Sequence, residues 1–270
     1  MAPAPAALAP APLATGDGFV QSFARGLSVI RSFSSATPAQ TLSEVAAQTG
    51  MTRAGARRIL LTLAALDYVI QSGRQFRLTP KVLELGFAYL SSMPMWNIGE
   101  PIMERLSRAT GESCSIAVLD ATEIVYVQRV HTQRIMALNL SVGSRLPASC
   151  TALGRVLLAG LPPKLMRARL EASERVALTP RTITQVAPLV AKVEAARTQG
   201  YALVDQELEL GLISLAAPIT DNAGNTIAAL NVSAHASGGK EALRRRILPL
   251  LLDAAHEVSQ RLPRSQLSAG

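Results

Sequence analysis

Two cysteines, Cys114 and Cys150, are too few in 270 residues for a disulfide framework, and neither stands in a Cys/His cluster with zinc-ligand spacing. Despite a mean hydropathy of +0.24, no uninterrupted apolar run approaches the roughly 18 to 20 residues that span a bilayer. The opening MAPAPAALAPAPLATGDG lacks the basic start of a secretory leader, and Pro3, Pro5, Pro10 and Pro12 interrupt any leader helix. Together these absences exclude a disulfide-stapled secreted domain, a membrane span and a zinc module. They point to a soluble protein of a reducing cytoplasm that begins with a flexible tail, residues 1–18. His131, His235 and His256 complete the Cys and His inventory, and no nucleophile elbow, Gly-rich phosphate loop or metal spacing surrounds any of them. The chain is therefore read as no enzyme, and neither cofactor nor metal is expected.

Acidic residues are also scarce, 19 against 27 Lys and Arg, giving a net charge of +8. That excess favours an anionic partner such as nucleic acid. Apolar residues make up 49% of the chain and charged residues 17%, ample for buried cores, and the length suggests two of them. The charge is uneven: −1 over residues 1–18, +5 over 19–93 and +4 over the long remainder. Arg53, Arg57, Arg58, Arg74, Arg77 and Lys81 share one stretch with a single acid, Asp67, the electrostatic footprint of a phosphate-contacting surface.

The local pattern gives that footprint an architecture. Phe23, Leu27, Ile30 and Phe33 are spaced for one apolar face of a helix over 19–34. Thr41-Leu-Ser-Glu44 is a capping box opening a short helix with Leu42, Val45 and Ala46 inward. Gly50 supplies a turn, and Thr52 caps a helix to about Leu66 with the stripe Ala56, Ile59, Leu60, Leu63 and Leu66. Arg53 and Arg57 stack four apart near its start, where a helix-turn-helix presents its recognition residues. Tyr68-Val-Ile-Gln, the turn Ser72-Gly73-Arg74 and Gln75-Phe-Arg-Leu-Thr read as a β-hairpin, so residues 19–79 form a winged helix-turn-helix. Thr52, Arg53, Arg57, Arg58, Arg74 and Arg77 are the candidate DNA-binding residues.

Residues 80–93 predict a helix whose apolar positions, Val82, Leu83, Leu85, Phe87, Tyr89, Leu90 and Met93, are too many for one wing to cover. Self-association is the expected use of that surface, packing on the chain's own second domain the alternative. From Pro94 on, strands mix with helices. Cys114–Leu119, Ile124–Val130 and Arg134–Leu140 read as an antiparallel meander, and Tyr201–Val204, Ile213–Ile219 and Ile227–Ser233 add three strands. A last helix carries Leu243, Ile247, Leu250, Leu251, Ala254, Val258 and Leu262, with Pro249 expected to kink or break it. The fold class is α+β: residues 94–262 form the second domain and 263–270 a flexible tail.

ARGLSVIRSF, the winged module, GSRLPASCTALGRVLLAG and GYALVDQELELGLISLAAPITD follow one another in the order of a known family. Over residues 19–262 the chain resembles the IclR-type bacterial transcriptional regulators. It is similar above all to the branch that controls protocatechuate, 4-hydroxybenzoate and related aromatic-acid catabolism. The resemblance implies a GAF-like effector domain sensing a small organic acid, joined to a winged helix acting on operator DNA as a dimer or dimer of dimers. RNA polymerase becomes a further partner if the protein activates rather than represses. Position by position, it implies a pocket lined by Ile135, Leu138 and Leu146, with Thr151, Ala152 and Leu153 at a helix entrance and Ser214, Asn231 and Ser233 on later strands. Two positions depart from the pattern: Ile213, where the branch often carries arginine, and Val204, where an acidic residue or serine is common.

The residues themselves suit that chemistry. A helix starting near Thr151 offers unpaired amides to a carboxylate, and Asn231 and Ser233, two apart, share a sheet face. Hydrogen bonding within the strands, without a ligand, is the plainer use of the same side chains. Arg134 and Arg155 are candidate carboxylate partners, with solvent their expected surroundings. An effector would act by its differential affinity for two arrangements of the winged helices, coupled through residues 80–93. A short oxo-acid or ring-cleavage dicarboxylate as effector, or an effector-free dimeric repressor, are the competing readings.

Overall fold

The computed structural model describes residues 18–93, 95–132 and 140–263, and all structural statements concern those residues. The chain divides into two compact units between Tyr89 and Leu90.

The first unit contains α1 (Gln21–Ser32), β1 (Gln40–Thr41), α2 (Leu42–Thr49), α3 (Arg53–Ala65), β2 (Val69–Ser72) and β3 (Gln75–Leu78). The capping box is complete: the Thr41 hydroxyl accepts from the Glu44 amide and the Glu44 carboxylate accepts from the Thr41 amide at 2.6 Å. Those bonds from Thr41 hold the Glu44 carboxyl below the usual range. Gly50, at φ +65°, closes α2, and the Thr52 hydroxyl caps α3 by accepting from the Gly55 amide at 3.1 Å. In the hairpin Ser72 opposes Gln75, leaving Gly73-Arg74 as a two-residue turn with Gly73 at φ +59°. β1 adds to β3, giving the order β1-β3-β2. Two residues carry no readable period, so this strand had no sequence signal. Val29, Val45, Ala46, Ala56, Leu60, Leu63, Val69 and Phe76 form the core.

Three expected core positions differ. Val29, with Ile30 and Phe33 packed beside it, holds α1 to the unit, whereas Phe23 and Leu27 point away and are 68% and 42% exposed. α1 is thus apolar on two sides, which a single-stripe reading merges into one. Leu66, expected inward, caps α3 and is exposed. A 3-10 turn over Pro80–Val82 leads into α4 (Leu83–Ser92), none of whose residues is buried. Leu83, Leu85, Phe87 and Tyr89 are exposed, while Leu90 and Met93 pack against the second unit's core.

The second unit contains α5 (Trp96–Thr110), β4 (Ser113–Asp120), β5 (Glu123–Val130), β6 (Arg145–Pro147), α6 (Ala152–Ala159), α7 (Pro163–Ala172), α8 (Val186–Gln199), β7 (Ala202–Asp205), β8 (Leu212–Thr220), β9 (Thr226–His235) and α9 (Lys240–Arg261). All pairings of its six-stranded sheet, β6-β5-β4-β9-β8-β7, are antiparallel. α5 and α9 cover one face through Ile102, Met103, Leu106, Ile247, Leu251 and Val258. α6 and α8 cover the other through Leu153, Val156, Leu157, Leu189 and Val193. Of the expected strand Arg134–Leu140, residues 134–139 lie outside the described residues, and β6 flanks β5 instead. Helices α7 and α8 fall in a stretch for which the sequence suggested no element.

α9 runs through Pro249 as one continuous helix, so the proline does not break it. The proline removes one amide, and the carbonyl it would have served belongs to Arg245, which is exposed and can turn to water. Ile247 and Leu251 on either side are fully buried and keep the helix seated. Leu250, expected on the buried stripe, is 38% exposed.

Candidate functional site

The basic surface of the first unit follows from how α3 packs. Because Ala56, Leu60 and Leu63 turn inward, Arg53, Arg57 and Arg58 stand outward, and all three are exposed, as are Thr52, Arg74 at the hairpin turn and Arg77 on β3. Among the described residues no carboxylate pairs with any of these five arginines. Five uncompensated guanidinium groups on a helix and its adjoining wing can contact phosphates and, from the start of α3, base edges.

In the second unit, a cavity of about 20 Å³ lies between the sheet and the start of α6, roughly the room of one water molecule. Tyr126, Cys150, Thr151, Ala152, Leu153, Val204, Leu208, Leu212, Ser214 and Asn231 line it. The Thr151 hydroxyl takes the Gly154 amide at 3.1 Å, which leaves the Ala152 and Leu153 amides without intrahelical acceptors at the cavity wall. Close approach here depends on Gly154, where an added Cβ would overlap the backbone of Ala148. On the sheet side, the Asn231 amide nitrogen donates to the Ser214 hydroxyl at 2.9 Å and to the Ser233 hydroxyl at 3.0 Å. Asn231 is 3% exposed and its Oδ1 has no hydrogen-bond partner, an unmet acceptor at the cavity. Burial pushes the Tyr126 phenol up to about 12 and the Cys150 thiol up to about 11, so both face the cavity uncharged at neutral pH.

Of the implied pocket residues, Thr151, Ala152, Leu153, Ser214 and Asn231 meet at this cavity, and Ser233 joins through Asn231. Leu146 packs on the same layer without lining the cavity, and Ile135, Leu138 and Arg134 lie outside the described residues. Tyr126, Cys150, Leu208 and Leu212 line the cavity without being among the pocket residues that the sequence implies. Leu208 and Leu212 sit within DQELELGL, and Val204, noted there only as a departure, is a wall residue.

One expectation is corrected. Arg155 is not solvated: it is 2% exposed and donates to Glu207 at 2.6 Å and to the Ser149 carbonyl at 3.1 Å. Since Glu207 follows β7, this ion pair ties α6 to the loop that bears Leu208 and leads to Leu212 at the start of β8. Ile213, in turn, faces the α5 and α9 core. With this backbone, a cation at that position would not reach the cavity.

A different cation does lie beside it. Arg129 on β5 is half-buried; its Nη1 donates to Ser115 Oγ at 3.2 Å and its Nε to His131 Nδ1 at 3.3 Å. Its guanidinium stands 5.8 Å from the centroid of Tyr126, the ring that lines the cavity. Burial lowers the pKa of Arg129, and burial together with Arg129 lowers that of His131. A wider cleft of about 380 Å³ opens elsewhere, among Lys192, Gln199, Tyr201, Lys240, Glu241 and Arg244. It is open and polar, and Arg244 is held there by Glu241 at 3.0 Å. The smaller cavity has the apolar sleeve and convergent polar atoms that suit a small organic ligand.

Comparisons with known proteins agree with this layout. Residues 22–73 match the IclR helix-turn-helix domain and residues 87–260 the bacterial transcriptional regulator IclR C-terminal domain. The Pca regulon regulatory protein of Pseudomonas putida is 41% identical over 96% of this chain and 94% of its own length. A transcriptional regulator from Rhodococcus sp. RHA1 superposes with a TM-score of 0.81 at 47% identity, covering 90% of this chain and 98% of that one. The inducer-binding domain of the PobR transcription factor from Acinetobacter, a double mutant in complex with 3-hydroxybenzoic acid, superposes with a TM-score of 0.57. It is 32% identical and covers 62% of this chain and 97% of that one.

Proposed function

This chain belongs to the IclR family of bacterial transcriptional regulators, and on that premise we propose that it controls aromatic catabolic genes in response to a monocyclic aromatic carboxylate. Compounds of the 4-hydroxybenzoate, protocatechuate or terephthalate type fit the reading. The winged unit binds operator DNA through Thr52, Arg53, Arg57, Arg58, Arg74 and Arg77, and the second unit holds the effector in the cytoplasm.

One observation carries the effector reading: a cavity with an apolar sleeve, at which free α6 amides and the unmet Asn231 oxygen converge. Tyr126, Val204, Leu208 and Leu212 suit the faces of a ring, and the polar atoms suit its substituents. Since the cavity is about 20 Å³, binding has to part the sleeve, and that movement is the signal. A Pca regulon regulatory protein and a PobR inducer-binding domain with 3-hydroxybenzoic acid among the relatives support the same class of effector.

The protein acts as a dimer or dimer of dimers. The exposed apolar side chains of α1, Phe23 and Leu27, and of α4, Leu83, Leu85 and Phe87, supply the surface for it. The ligand shifts the balance between two arrangements of the paired winged units, with α4 as the connection, and RNA polymerase is a partner if the shift activates.

Thermal unfolding of the full chain with 4-hydroxybenzoate, protocatechuate, terephthalate, ring-cleavage dicarboxylates, glyoxylate and pyruvate tests this. A ligand at 100 times its Kd adds about 2.7 kcal/mol, a visible rise in Tm. A rise with aromatic acids alone is expected. A rise with pyruvate or glyoxylate alone would replace the effector class, and a flat panel would leave a regulator that works without an effector.

A further inference from the structure

An organic acid entering a mostly apolar site needs its charge met, and around the cavity the formal charges are few. Arg155 is already neutralised by Glu207, buried with it at 2.6 Å. The α6 terminus contributes only a fractional positive charge, with one of its first amides already taken by Thr151. Tyr126 and Cys150 are neutral at physiological pH.

Arg129 is the exception. No carboxylate among the described residues pairs with it, and the two side chains to which it donates, Ser115 and His131, carry no negative charge. The segment 133–139, QRIMALN, contains no acid to supply one. The guanidinium is fixed from two sides, by the Tyr126 ring below it and the Ser115 hydroxyl beside it. Ser115 lies between Arg129 and Asn231 in the sheet register, directly opposite each. A row therefore runs across β5, β4 and β9 from the unpaired cation to the buried asparagine at the cavity. Burial lowers the pKa of Arg129, and the burial of His131 followed by the charge of Arg129 lowers that of His131.

We propose that Arg129 is the cationic partner of the effector's carboxylate and the residue that makes this site select an anion over its neutral isostere. This rests on the pocket assignment made above and adds to it the source of charge selectivity. A bound carboxylate gives the guanidinium the anion that the fold withholds, and a neutral amide of the same shape leaves it unpaired. Arginine suits the role because its planar fork meets a carboxylate while its face rests on an aromatic ring.

Isothermal titration of the full-length protein with 4-hydroxybenzoate and 4-hydroxybenzamide, at one fixed ionic strength, tests the assignment. The wild type is expected to prefer the acid. In Arg129→Gln the acid should lose about 10- to 100-fold in affinity while the amide is unchanged, so that the preference collapses. Arg129→Lys should retain part of it. An undiminished preference in Arg129→Gln overturns the proposal and leaves the pocket reading standing. Equal losses for acid and amide also overturn it, since they mark a role in shaping the site. Absence of heat with both compounds in the wild type removes the pocket reading and this proposal together. Thermal unfolding of each variant without ligand shows whether it is folded.

Discussion

The two faces of the six-stranded sheet are built by the same strands and differ in one respect. On the α5 and α9 side, Cys114, Ile116, Ile213, Leu215, Leu230 and Val232 form an apolar layer. One residue further along the same strands, on the α6 and α8 side, stand Ser115, Ser214, Asn231 and Ser233, with Arg129 hydrogen-bonded to Ser115. Alternation in a strand thus lets one face carry stability and the other carry polar groups that a ligand can use. The polar face is still well held, because the fully buried Arg155 is paired with Glu207 and so clamps α6 to the β7–β8 loop.

The sharpest way to break the comparison is to strike that clamp. Arg155→Ala leaves Glu207 as an uncompensated buried carboxylate and should cost about 3 to 5 kcal/mol. Chemical unfolding measures it, and a loss below about 1 kcal/mol would mean that water reaches Glu207 and that the pair is not structural. On the opposite face, Leu230→Ala opens a void and should cost about 2 to 5 kcal/mol. Its ligand-induced rise in Tm should survive, because nothing at the cavity changes; loss of the rise would show the two faces to be coupled.

Ser214→Leu fills the polar end of the cavity and removes a partner of Asn231. The roughly 2.7 kcal/mol of stabilisation expected from saturating ligand should vanish, with DNA affinity retained. A variant that still responds to ligand moves the effector elsewhere. In the first unit, Arg57→Ala should weaken operator binding by about 1 to 3 kcal/mol if it reads a guanine. Titration at fixed salt measures this, and unchanged affinity takes Arg57 out of the interface.

The smallest effect concerns alkali. Burial raises Cys150 to about 11, and Cys114 and Tyr126 to about 12. Their folded-state values lie above those of the unfolded chain, so the fold favours the protonated forms. That contribution is complete below about pH 9, the unfolded thiol range, and is lost as pH rises through 11 and 12. Urea midpoints should hold from pH 7 to 8.5 and then fall. A midpoint that stays level to pH 10.5 would show that these groups are more open to water than their burial implies.

By itself the sequence determined the helices, the hairpin and the surface charge of the first unit, though not β1. Capping residues, turn glycines and helical spacing act over a few residues, so Thr41 and Glu44, Gly50, Thr52 and Gly73 mark their elements wherever the chain packs. Strand alternation likewise placed Asn231 and Ser233 on one face. Tertiary structure alone decided what lies next to what. Arg155 meets Glu207 across 52 residues of sequence and Arg129 meets Ser115 across 14, and no local pattern distinguishes either arginine from a solvated one. It also decided which of the two apolar sides of α1 is buried, which way Ile213 faces and whether Pro249 interrupts α9. In each case the outcome depends on which neighbour removes water from a side chain or leaves a carbonyl in reach of it.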